Sequence, residues 1–135
     1  MTTPAGARER PLSPFMIGPY YRPQLTSMLS ITHRGTGVLL ALGAFVFAWW
    51  LFAIAAGPDA YLLFESYFGG LLGLVIALGF AFSLSFHLLN GVRHLLWDIG
   101  WGLDLDRTYA TGWSVLVLAL IATAALGWQA FGGRG

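Results

Sequence analysis

The stretch "SFHLLNGVRHLLWD", residues 85–98, carries His87 and His94, two of only three histidines in the chain, at the end of a long apolar run. Positions seven apart on a helix of 3.6 residues per turn share a face and lie about 10 Å apart along the axis. His87 then sits inside the apolar segment and His94 near its edge. Ionisable groups in such segments are rare and mark functional sites by default, and a neutral imidazole is a common axial ligand for haem iron. Ser83 and Gly91, at i−4 and i+4 from His87, are small residues expected on the ring's own face, where they would let a large planar group approach the backbone. The competing reading is a histidine hydrogen-bonded to a neighbouring helix. His94 has Asp98 four residues on; the pair reads equally as a contact that fixes the ring's tautomer and as an interfacial salt bridge. Arg93 can stack on Trp97, also at i+4.

A second polar group is "SITHRGTG", residues 30–37. Ser30 and Arg34 are four apart and share a helical face, with His33 beside them. A hydroxyl donor and a fixed cation suit a quinone carbonyl, whose oxygen gains negative charge as electrons arrive and must then be protonated. Arg34 equally suits a haem propionate. The plainer alternatives are an N-cap for Ser30 and a snorkelling cation for Arg34.

Composition says what must position these groups. The 135 residues are 57% hydrophobic and 10% charged, with mean hydropathy +0.71, which marks a membrane protein. Gly35–Ala56 runs for 22 residues without a formal charge, enough to cross a hydrocarbon layer of roughly 30 Å. Uncharged stretches also run from Tyr67 to Val92 and from Thr108 to Gly133. The expected architecture is an all-α membrane protein with three transmembrane helices, up-down-up, over about 31–56, 67–92 and 108–131. A Pro-rich arm, 1–29, precedes the anchor, 30–133. Gly57, Pro58 and Asp59 interrupt the pattern after the first span, and Gly100, Gly102 and nearby acids interrupt it before the third. Gly69 and Gly73 have GxxxG spacing, a weak sign of close helix packing.

Arg8, Arg10, Arg22, Arg34, Arg93 and Arg107 fall on one side of this topology and only Arg134 on the other, so the N-terminus is expected in the cytoplasm. Ser30, His33, Arg34 and His94 then meet at that face. A signal peptide ending near Ala53–Ala55 is disfavoured because the apolar run is longer than a signal h-region. A net charge of +1 offers no basic track for nucleic acid. With no cysteine the chain supplies no disulfide, zinc thiolate or iron-sulfur ligand, leaving histidine to bind any metal.

"RPLSP" (10–14), "LTSMLSITHRGTG" (25–37) and "HLLNGVRHLLWDIG" (87–100) together resemble the cytochrome b556 membrane-anchor subunits of succinate dehydrogenase, complex II. The resemblance covers almost the entire chain. It implies a haem b-binding anchor that pairs with a second small membrane subunit and carries an iron-sulfur subunit and a flavoprotein subunit, to which the succinate site belongs. By position it makes His87 an axial ligand of the haem iron, with the partner anchor supplying the other. It makes Ser30 and Arg34 ubiquinone-site residues and puts His33, Arg34 and His94 around the haem propionates. The arm departs from the family pattern, having Phe15 where members often carry histidine after Ser-Pro.

Two other functions fit parts of the pattern: a haem-free scaffold or small transport subunit, and a quinol:fumarate reductase anchor. A transport path would distribute polar groups through the membrane depth, whereas these crowd one face. The direction of electron flow depends on the quinone and redox partners. The absence of a long, basic, Ser-rich transit segment favours a bacterial inner membrane over a mitochondrial one.

Overall fold

A computed structural model describes residues 23–132. The arm prolines before Pro23, Phe15, the arm arginines and Arg134 lie outside the described residues. Four helices follow in order: α1 (Leu25–Ala56), α2 (Pro58–Phe68), α3 (Leu71–Asp98) and α4 (Leu105–Gly132). The described residues contain no strand. Three helices, α1, α3 and α4, are long and apolar enough to span a bilayer.

The boundaries differ from the uncharged stretches in physically interpretable ways. α1 begins at Leu25 rather than near residue 31, with Gln24 as the residue before it, so Ser30 lies within the helix and is not its N-cap. Polar residues such as Thr26 and Ser27 continue a helix beyond the hydrocarbon layer, and a count of uncharged residues misses them. Gly57 breaks α1 at φ +108°, a conformation that L side chains rarely adopt. Pro58 then starts α2, having no N–H to leave unpaired in the first turn. The connection after the first span is thus an 11-residue helix. Its last residues, Tyr67 and Phe68, belong to the uncharged stretch expected to form the second span, but that span starts at Leu71. Gly69 caps α2 and Gly73 lies in α3, so they form no GxxxG face. Gly73 instead marks the tight α2–α3 turn, where a Cβ would collide with the Phe68 carbonyl.

α3 packs against α4 and α1, and α2 lies beside α1. Leu29, Phe86, Val115 and Ala119 form the buried core joining the three long helices. Gly112 brings them together at one end, where a Cβ would stand 2.7 Å from Leu29 Cδ1 and 3.7 Å from Arg93 Nη2. Most large apolar side chains point outward, including Ile31, Val38, Phe45 and Phe52 on α1. In a bilayer, lipid is the solvent for those faces, and association rests on close packing and interhelical hydrogen bonds. At the end away from the histidines, Phe47, Trp50, Phe64 and Phe80 help wall an apolar cavity of about 250 Å³ between α1, α2 and α3.

Candidate functional site

The three histidines meet at one end of the bundle. The His33 ring on α1 is stacked on that of His87, with centroids 3.9 Å apart and planes at 11°. On its other flank is His94, at 5.5 Å and 55°. The seven-residue spacing therefore does place His87 and His94 along one stripe of α3, but His33 closes the group between them. Rings stacked face to face at this distance set their nitrogens side by side rather than aimed at a common point, and among the described residues no group of three or more His, Cys, Asp or Glu is arranged to chelate a metal ion.

Proton accounting identifies the tautomer of His87. Its Nδ1 is 3.1 Å from the carbonyl oxygen of His33, an atom that can only accept, so Nδ1 carries the hydrogen. The Thr36 hydroxyl donates its own hydrogen to that carbonyl at 2.9 Å. It can therefore accept from Nδ1–H, 3.2 Å away. In the neutral ring the lone pair is then on Nε2, to which no described residue hydrogen-bonds. A backbone carbonyl holding one ring nitrogen while the other offers a lone pair is the usual arrangement around a metal-bound histidine. Nδ1 of His33 is buried and has no hydrogen-bond partner among the described residues. The His87 ring is half-buried, and Gly91 on the next turn has open space around it. These groups fit a haem bound through one imidazole of this chain, with a second polar group in reserve at its edge.

Two expected neighbours are placed differently. Ser83 is fully buried, with its hydroxyl lacking a partner among the described residues, so of the two small residues Gly91 alone opens the face beside His87. Asp98 is exposed and makes no ion pair with His94; the ion pair among the described residues is Arg107–Asp104, at the exposed surface. His94 instead makes a T-shaped contact with Trp97, with centroids 5.1 Å apart. Ser30 is half-buried and Arg34 exposed. Neither makes a hydrogen bond or ion pair with another described residue, so their polar atoms are available at the histidine end.

Arg93 carries a role that its sequence position does not disclose. It is only 4% exposed, and its guanidinium points into the α3–α4 interface. Nη2–H donates to the Thr108 carbonyl at 2.8 Å and Nε–H to the Thr111 hydroxyl at 3.0 Å. The group also stacks over Trp97 at 4.0 Å, as the spacing suggested. Trp97 in turn donates to the Gly102 carbonyl at 3.2 Å, and the Thr108 hydroxyl donates to the same oxygen at 3.1 Å. Gly100 and Gly102, at φ +81° and +80°, make the tight turn that allows this. The histidine end of α3 is thereby fixed to the start of α4. Arginines near a span boundary usually read as topology determinants, and only the helix pairing distinguishes this one. Asn90 is fully buried beside it, its Oδ1 3.5 Å from Arg93 Nη1 and its Nδ2 without a partner among the described residues.

Three membrane-crossing helices with imidazoles, a hydroxyl and a cation gathered at one end define a membrane subunit built around a polar site at one boundary. The chain belongs to the succinate dehydrogenase/fumarate reductase transmembrane subunit family, whose model matches residues 7–126. It is 37% identical over 118 residues to the succinate dehydrogenase cytochrome b556 subunit of Rickettsia prowazekii, covering 87% of this chain and 90% of that protein. The corresponding subunit of Paracoccus denitrificans is 33% identical over 112 residues, covering 83% and 85%. The mitochondrial cytochrome b560 subunit of Mus musculus is 35% identical over 119 residues, covering 87% of this chain and 69% of that protein.

Proposed function

We propose that this chain is the haem b-binding anchor of a succinate:quinone oxidoreductase in a bacterial inner membrane, oriented with its N-terminus and histidine end toward the cytoplasm. His87 would hold the haem iron through Nε2, with a second small anchor subunit supplying the other protein ligand. His33, Arg34 and His94 serve the propionate edge. An iron-sulfur subunit and a flavoprotein subunit dock at the same face and bring electrons from succinate, whose site is on those partners. The observation that carries the reading is the His87 ring, held at Nδ1 by the His33 carbonyl with Nε2 left free. Support for haem comes from the names of the relatives as cytochrome b subunits of succinate dehydrogenase.

Haem b, when bound, supplies a one-electron relay beside the quinone. The chain's own residues do the rest. The Ser30 hydroxyl donates a hydrogen bond to a quinone carbonyl, and Arg34 offsets the negative charge that gathers on that oxygen during reduction. The two lie one helical turn apart on α1, so one rigid element holds the donor and the cation in register. Arg93 and its partners keep the end of α3 from rotating away from α1.

The test is a split between two activities of the purified complex. Ser30→Ala and Arg34→Leu should lower succinate:quinone reduction by about 10- to 1,000-fold while leaving succinate oxidation by an artificial acceptor intact. Equal loss of both activities would remove the quinone role from these residues.

A further inference from the structure

Besides His33, the His87 ring meets Thr36 and Gly37 of α1, just beyond the residues assigned to quinone. Thr36 is 3% exposed, and its side chain faces α3. Its hydroxyl bridges the His33 carbonyl and the His87 Nδ1, so both acceptors of Nδ1–H come from a single turn of α1. Gly37 makes room for the ring. A Cβ at that position would lie 3.2 Å from Cε1 and 3.7 Å from Nδ1 of His87, closer at Cε1 than side chains ordinarily pack. Gly35, on the same helix, has open space where its Cβ would be. On α1 the glycine that abuts the His87 ring is therefore Gly37.

We infer that Thr36 and Gly37 form a seat that sets the tautomer and the ring angle of His87, which makes them positioning residues for the haem ligand. This rests on the proposed role of His87. The seat works through geometry: the hydroxyl and the carbonyl hold hydrogen on Nδ1, and the missing side chain at Gly37 lets the ring lie close against α1. Outer partners of this kind govern the basicity and orientation of a ligating histidine, and their loss typically weakens metal binding 10- to 100-fold.

The experiment uses the whole complex, purified in detergent, with two readouts. One is the rate of haem transfer to excess apomyoglobin; the other is the set of g values of the ferric haem by electron paramagnetic resonance, which respond to imidazole orientation. Thr36→Val removes the hydroxyl at nearly constant shape, Thr36→Ser retains it, and Gly37→Ala pushes on the ring. The Val and Ala variants are expected to lose haem roughly tenfold faster and to shift the highest g value, while Thr36→Ser keeps both near wild type. Wild-type behaviour of both Thr36→Val and Gly37→Ala would overturn the seat, and would leave the ligand reading standing if His87→Ala had lost or moved its haem band. An unchanged band in His87→Ala would overturn the ligand reading and the seat with it. Should Gly37→Ala fail to assemble, the Thr36 pair decides: equal behaviour of Val and Ser refutes the seat.

Discussion

Replacing Arg93 with leucine removes the group that fixes the histidine end of α3 to α4. Two charge-assisted hydrogen bonds, to the Thr108 carbonyl and the Thr111 hydroxyl, contribute roughly 1.5–3 kcal/mol each. The stacking on Trp97 adds about 1–2 kcal/mol in a desolvated setting. Against this, holding a guanidinium in an apolar layer costs about 2.5–3.5 kcal/mol, which the substitution returns. The Thr111 hydroxyl still donates to the Arg107 carbonyl at 2.8 Å and reaches the Thr108 carbonyl at 3.3 Å, whereas the buried Asn90 Oδ1, 3.5 Å from Arg93 Nη1, loses its donor. Because the Thr111 hydroxyl and the Thr108 carbonyl keep partners and the Asn90 contact is long, the net loss is about 2 kcal/mol, or roughly 30-fold in a local opening equilibrium.

Hydrogen-deuterium exchange of the intact complex reads this directly. In Arg93→Leu, amides of residues 108–112 should exchange roughly 30-fold faster, while those of residues 119–123, further along α4, remain protected. Arg93→Lys keeps the charge without the planar fork and should fall between. Unchanged protection at 108–112, or equal loss along all of α4, would refute the proposed latch.

At the other end of the bundle, Gly43→Ala drives a methyl group into the Phe80 ring. It should destabilise α1–α3 packing by roughly 1–3 kcal/mol, seen as a lower thermal denaturation midpoint of the complex. Topology is open to a labelling test, because the chain has no cysteine. A cysteine introduced at Asp59 should react with an impermeant maleimide added from the periplasmic side, and one at Asp104 only after the membrane is opened. The reverse pattern would invert the orientation.

The three spans were legible because the length of an uncharged stretch is a property of the chain alone. The hydrocarbon layer demands that length wherever the helices go. α2 was not, since Gly57, Pro58 and Asp59 read as a break, although proline is also a common first residue of a helix. The histidine stripe was legible for His87 and His94 because helical geometry relates positions on one element. What His33 touches depends on how α1 packs against α3, and a single sequence holds no record of that pairing. The same gap hid the burial of Ser83 and Arg93: both lie on α3, and which face meets α4 is settled by side-chain fit. Asp98 paired with His94 by spacing, yet the His94 ring faces Trp97 and the Asp98 carboxylate stays in the open.

The assignment of His87 as haem ligand is most directly tested by the reduced-minus-oxidised optical spectrum of the complex purified with His87→Ala. Loss or displacement of the haem b band relative to the wild-type complex is the expected result. A band of unchanged position and intensity, in a complex containing all its subunits, would contradict the assignment.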